Sequence, residues 1–242
     1  MRWSYAIALC CVVAGCQFNH GAAGVDAVDV VAGDAASPDA KPLACILKHT
    51  WTADFSIDPT TLNLNGDPEP DWRIREGGTF PGQLADGVWS VARTDAVSLD
   101  TQPKTDFNRP MRATARMRNT SSAGTRGVIL SLNVDYTPMT FMPLLLEVRL
   151  DADEQHQTVT LFSKGPTVEM PIVTFPNLGT GFVDALVDID PMQNTVTVQV
   201  GSESSTHVYT PIPRNMNDDR FATLFDYGSD GQFDEARIEV CQ

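Results

Sequence analysis

The chain has 242 residues, 42% hydrophobic and 20% charged, and its 17 basic against 31 acidic side chains give a formal net charge of −14. That balance disfavours nucleic acid and anionic lipid head groups as partners and mostly serves solubility, while it does not disfavour calcium. The length suffices for one domain with a sizeable core beside short accessory segments.

The first residues, MRWSYAIALCCVVAGC, carry one cation at Arg2 and then an apolar and small-residue run from Tyr5 to Gly15. The run is too short for a permanent membrane span, and its flanks read as a secretory signal peptide. It ends in Val13-Ala14-Gly15-Cys16, which resembles the lipobox of bacterial lipoproteins: an aliphatic residue, two small residues, then the cysteine that receives lipid. Neither Cys10 nor Cys11 follows a small residue, so Cys16 alone fits; an ordinary signal peptide cut nearby is the alternative. The resemblance implies removal of residues 1–15 and a lipid anchor in the bilayer at Cys16. With Gln17 rather than Asp after the cysteine, it implies an outer-membrane or cell-surface address. The mature chain then keeps 16 basic and 31 acidic side chains, a charge of −15.

Residues 16–42 are rich in Ala, Gly, Asp and Val, with no sustained period. Such a composition cannot bury enough apolar surface to offset the entropy of ordering, so the segment reads as a disordered tether. His20 lies within it and is no ligand or base by itself. Beyond Cys16, Cys45 and Cys241 remain as an even pair in an oxidising compartment, which predicts a disulfide; two separate buried thiols are the alternative.

Residues 43–242 are dominated by period-2 patterning. Met111, Ala113, Ala115 and Met117 alternate with Arg112, Thr114, Arg116 and Arg118, and Val196, Val198 and Val200 with Thr195, Thr197 and Gln199. Further strands are predicted from Gly87, Arg126, Leu144, Gln157, Phe182, Thr206, Phe221 and Phe233, separated by turn clusters such as Asp190-Pro191-Met192-Gln193-Asn194. No helical stripe competes. The predicted fold class is all-β, an antiparallel two-sheet jelly-roll sandwich.

Near the end, Gly231-Gln232-Phe233-Asp234-Glu235-Ala236-Arg237-Ile238 resembles the closing strand of concanavalin A-like and laminin-G-like jelly rolls. The resemblance implies that the first and last strands lie side by side. Taking the Cys45 and Cys241 pair as the register mark places Thr52 opposite Asp234 and Trp51 opposite Glu235. It also implies a structural calcium where these strands meet, with Asp234 and Asp54 or Asp58 as ligands; a glycine turn with solvated acids is the alternative.

Chemistry-bearing residues are few. In NLNGDPEPDW, oxygen-bearing side chains recur at Asn63, Asn65, Asp67, Glu69 and Asp71 around Gly66. Thr61 and Trp72 occupy the positions where an EF-hand needs its first Asp and its bidentate Glu, so the segment is no EF-hand. A looser calcium loop and a proline-stiffened polar turn both remain open. Sugar stacking needs an exposed ring; the candidates are Trp51, Trp72, Trp89, Tyr136, Tyr209 and Tyr227, and Trp72 is singled out because it ends a polar loop. Arg112, Arg116 and Arg118 share a strand face that could read an acidic glycan or pair with Asp184, Asp188 or Glu147.

No E-x-D-x-x-E, G-x-S-x-G, H-E-x-x-H or phosphate loop is present, and His49, His156 and His207 stand singly. The sequence therefore predicts a non-catalytic glycan-binding module on a lipid anchor, with no nucleic-acid partner. A polysaccharide-cleaving enzyme using Glu147 and Asp151 and a structural or protein-binding envelope lipoprotein are the alternatives. Burial of Trp51, Trp72 and Trp89 together favours the last of these.

Overall fold

The computed structural model describes residues 45–74, 82–92, 97–102, 109–121, 127–134, 136–137, 140–141, 146–164, 169–209, 221–226 and 229–242. The signal segment, Cys16 and the tether of residues 16–42 lie outside the described residues. In chain order the strands are β1 (Leu47–Ala53), β2 (Trp72–Ile74), β3 (Gln83–Ala85), β4 (Val88–Val91), β5 (Val97–Thr101), β6 (Met111–Asn119), β7 (Val128–Val134), β8 (Tyr136–Thr137), β9 (Thr140–Phe141), β10 (Leu146–Ala152), β11 (Gln157–Lys164), β12 (Glu169–Leu178), β13 (Val183–Asp190), β14 (Thr195–Val200), β15 (Glu203–Val208), β16 (Phe221–Asp226) and β17 (Gly231–Cys241). Among the described residues the one helical piece is a 3-10 turn, Pro59–Thr61, capped by the Asp58 side chain.

Fifteen of these strands build two antiparallel sheets, and β8 and β9 pair only with each other. The first runs β15-β14-β13-β6-β17-β4-β3, with β1 also on β17; the second runs β12-β11-β10-β7-β16-β5-β2. The length of β17 lets two short strands share one of its edges, β4 beside Gly231 to Phe233 and β1 beside Ala236 to Cys241. Alternation explains the layering: along β6 every odd-numbered residue from Met111 to Asn119 is buried and every even-numbered one is partly exposed. The core between the sheets takes Met111, Ala113, Met117, Val187, Val198 and Ile238 from the first and Leu130, Leu132, Val148, Leu150, Leu161 and Leu224 from the second. This is the jelly-roll sandwich that the alternation predicted.

Turn chemistry agrees with the register. Asp86 and Gly87 both hold positive φ, 52° and 78°, and join Ala85 to its partner Val88, the two-residue hairpin turn that Asp-Gly favours. In the β13–β14 turn, Asp190 accepts from the backbone N–H groups of Met192 and Gln193 at 2.9 and 3.2 Å. Cys45 and Cys241 form the predicted disulfide, with Cα atoms 5.8 Å apart.

The β1–β17 register differs from the expectation. Thr52 faces Arg237 and Trp51 faces Ile238, three residues further along than the cysteines imply. Cys45 precedes β1, and a bulge between Leu47 and His49 shifts the ladder, so the disulfide does not mark its register.

Candidate functional site

On the outer face of the first sheet, β3, β4, β17 and β6 bring one polar side chain each into a single cross-strand row. Gln83 pairs with Ser90, Ser90 with Gln232, and Gln232 with Arg118. Their inward neighbours Trp89, Phe233 and Met117 are core, so alternation aims the row outward. Gln83, Ser90 and Gln232 line an open cleft of about 500 Å³, completed by Thr120, Asp230 and glycines 82 and 231. Gln232 Nε2 donates to Ser90 Oγ at 3.2 Å, while Thr120 donates to the Asp230 carbonyl through both its backbone N–H and its hydroxyl, at 2.9 Å each. Asp230 N–H in turn donates to Ser121 Oγ at 2.7 Å, so the rim loop is pinned. A Cβ on Gly82 would lie 2.3 Å from the Ser90 carbonyl, and its φ is +78°, so only glycine fits that wall. Amides, hydroxyls and one carboxylate around a cleft are suited to taking polyhydroxylated ligands. Of these residues, sequence reasoning named only Arg118 as a ligand candidate.

The β6 arginines are unequal. Arg112 makes a two-pronged contact with Asp188, Nε to Oδ1 at 2.6 Å and Nη2 to Oδ2 at 2.7 Å. That contact raises its pKa further above the ordinary guanidinium range. Arg116 lies 3.1 Å from Asp234 and 4.0 Å from Asp184, with its guanidinium 5.6 Å from the Phe182 ring centre. Burial pushes the Asp184 carboxyl up, against the pull of Arg116. Pairing with Asp184 and Asp188 is one of the two arrangements expected for this face. Arg118 has no carboxylate partner among the described residues, and its Nε is buried without a hydrogen bond.

The outer face of the second sheet carries a second polar row, Glu147, Ser131, Thr223 and Asp100, with Arg73 beyond. All four are no more than 3% exposed. Glu147 pairs with Arg149 at 2.9 Å, and Arg149 also contacts Glu169 and lies 4.2 Å from the Phe162 ring centre. Burial raises the Asp151 pKa, opposed by Arg149. Glu147 and Asp151 stand four residues apart on one strand, about 13 Å, and Glu147 and Asp100 three strand spacings apart, about 14 Å. Glycosidase pairs need roughly 5–9.5 Å, so neither pair has that geometry.

Asn63–Asp71 folds into a turn stitched by its own groups. The buried Asp71 carboxylate accepts from the Leu64 and Asn65 backbone N–H groups at 2.6 and 3.2 Å and from Asn65 Nδ2 at 2.9 Å. Asn65 Oδ1 accepts from Thr50 N–H at 3.1 Å, Asn63 Oδ1 accepts from Gly66 N–H at 3.0 Å, and Asn63 Nδ2 donates to the Asp67 carbonyl. Glu69 is exposed. The side-chain oxygens of Asn63, Asn65 and Asp71 thus serve protein donors, and the Asp67 Oδ2 atom, buried with no hydrogen-bond partner, does not by itself make up the six to eight oxygens that calcium takes. Asp54 caps Ser56 through both its N–H and its hydroxyl, whereas Asp234 pairs with Arg116. Among the described residues no group of three His, Cys, Asp or Glu converges to hold a metal ion. The donors as arranged do not fit the ion that the fold resemblance implies.

The expectation of an exposed Trp72 is corrected. Trp51, Trp72 and Trp89 are each 0% exposed, and Tyr209 is buried. Trp72 opens β2 rather than closing the loop, and alternation turns its ring inward, where Nε1 donates to the Thr52 carbonyl at 3.0 Å. Trp51 Nε1 donates to the Gln102 carbonyl, so the two indoles strap the sheets together in opposite directions. Trp89 stacks with Phe233 and Phe55, ring centres 5.2 and 5.7 Å apart. Tyr227 lies outside the described residues, as does the Tyr136 side chain.

The fold is an antiparallel two-sheet jelly-roll sandwich, with a polar cleft on the outer face of one sheet. No family model and no curated protein matches the chain. Solved structures do. The CBM2 module of the evolved Dit of Lactobacillus casei BL23 phage J-1 superposes with TM-score 0.53 at 12% identity, covering 78% of this chain and 94% of that one. The carbohydrate recognition domain of Emp47p gives TM-score 0.52 at 12% identity, covering 79% and 96%. The exoplasmic/lumenal domain of VIP36, in its Ca2+- and mannose-bound form, gives 0.51 at 9%, covering 79% and 90%. At such identities the likeness is one of fold.

Proposed function

We propose that this chain is a non-catalytic carbohydrate-binding module, exported, cut before Cys16, lipidated there and displayed by its 16–42 tether at the outer membrane or cell surface. The observation that carries the binding reading is the outward row Gln83, Ser90, Gln232 and Arg118, three members of which line an open cleft of about 500 Å³. The described lining residues offer amide, hydroxyl and carboxylate groups for contacts with sugar hydroxyls. At about 1 kcal/mol net for each neutral hydrogen bond, four or five of them give affinity near the millimolar range. Clustering on a membrane raises such weak binding through avidity, a reason for an anchored display. Sandwich relatives described as carbohydrate recognition domains support the reading, and the Cys45–Cys241 disulfide supports export.

A structural or protein-contact role is the second reading, favoured by the burial of all three tryptophans. A glycan array probed with the full chain in detergent separates the two. Selective binding that falls when Gln232 and Ser90 are replaced by alanine supports the module, and binding to no glycan supports the structural reading. The N-terminal peptide mass of the membrane-extracted chain tests the anchor: a diacylglyceryl adduct on Cys16 is expected, and an unmodified terminus elsewhere removes that part of the reading.

A further inference from the structure

We infer that the cleft prefers acidic saccharides, with Arg118 receiving the ligand's carboxylate or sulfate; this rests on the carbohydrate-binding reading above. The three β6 arginines stand in a repeated environment. Across the β17 ladder Arg112 faces Glu239 and Arg116 faces Glu235, but Arg118 faces the neutral Gln232. On the β13 side Arg112 faces Asp188 and Arg116 faces Asp184. On a chain of net charge −14, Arg118 alone of the three has no carboxylate partner among the described residues, and its Nε–H, like that of the ion-paired Arg116, is buried without a hydrogen bond. A guanidinium N–H removed from water without an acceptor is unfavourable, and an oxyanion supplied from outside relieves that cost with the planar two-pronged geometry that arginine favours.

Gln232 lines the cleft, and directly opposed side chains have Cβ atoms about 5 Å apart, so the guanidinium lies within reach of the cleft floor. The other charge at the site fixes the orientation. Asp230, exposed at the rim just before β17, is two residues from Gln232, about 7 Å away. It repels the oxyanion and accepts from hydroxyls, so the acidic group sits toward Arg118 and the hydroxyls toward Asp230, Thr120 and Ser90. The negative field of the whole chain opposes long polyanions, which favours short acidic oligosaccharides.

The test is calorimetric titration of the full chain in detergent with matched pairs: oligogalacturonate and its methyl ester, sialyllactose and lactose, and sulfated lactose and lactose. In at least one pair the acidic member is expected to bind about ten-fold more tightly. The first two pairs report carboxylate and the third sulfate. Arg118→Gln should abolish the preference, so that the acidic and neutral members of the pair bind the variant equally. Arg118→Lys should fall between, and an unchanged unfolding midpoint shows that each variant is folded. Equal binding within every pair, or preference that survives Arg118→Gln, overturns the inference and leaves the carbohydrate reading standing. Failure of every member to bind, together with a blank array, removes both.

Discussion

Replacing Trp72 by phenylalanine separates a core tryptophan from a sugar-stacking one. The indole is fully buried, and its Nε1–H donates to the Thr52 carbonyl at 3.0 Å, tying β2 of the second sheet to β1 of the first. A buried tryptophan removes roughly 150–250 Å² from water, worth about 4–6 kcal/mol at 25 cal/mol/Å². Trp72→Ala is accordingly expected to cost about 3–5 kcal/mol. Trp72→Phe keeps most of the apolar volume, loses the hydrogen bond and leaves the Thr52 carbonyl unsatisfied, for about 1–3 kcal/mol. In a domain of this size each kcal/mol lowers the melting midpoint by roughly 2–4 °C. Urea unfolding followed by tryptophan fluorescence measures the stability, and glycan affinity is measured on the same folded sample. Reduced stability with unchanged affinity is the expected pair of results. Unchanged stability with lost affinity would mean that the ring meets ligand, and the buried placement would be wrong.

Three further outcomes follow from the described contacts. The disulfide closes a separation of 196 residues, so the Cys45→Ser, Cys241→Ser double variant should lose up to about 5 kcal/mol in urea unfolding; a loss below about 1 kcal/mol would mean that the cross-link barely constrains the unfolded chain. Because Asp71 and the neighbouring asparagines spend their oxygens on protein donors, millimolar calcium should move the melting midpoint by less than about 1 °C, whereas a rise of several degrees reversed by chelation would establish a calcium site. Burial, and then Lys48, hold the His49 imidazole below its ordinary range against the pull of Asp67 and Asp71. The unfolded chain then takes up the proton first, near pH 6.5, so stability should fall as pH drops from about 6.5 toward the lowered folded value and stay flat above it. His49→Gln should abolish that slope, and an unchanged slope would place its origin elsewhere.

Strands that bury one face were legible because alternation survives in them: β6, β13 and β14 read directly from their residues. β12 was not, because it is an edge strand with most side chains exposed and prolines at 171 and 176 that weaken a strand reading. β3 has three residues, too few for a period. Trp72 was misjudged from the polarity before it, since the inward aim of its ring depends on pairing with Thr101 across β5. The cleft carried no local signal: Gln83 and Ser90 share the β3–β4 hairpin, but Thr120 and Gln232 come from two other stretches, and the three stretches meet only through β17.

The most direct test of the carbohydrate reading is a glycan array probed in parallel with the full chain and with its Ser90→Ala, Gln232→Ala variant, both shown to have the same unfolding midpoint. The account predicts selective retention of a glycan class by the unaltered chain and its loss in the variant. Retention that is equal in both would place recognition away from the cleft, and retention by neither would contradict carbohydrate binding for the glycans displayed.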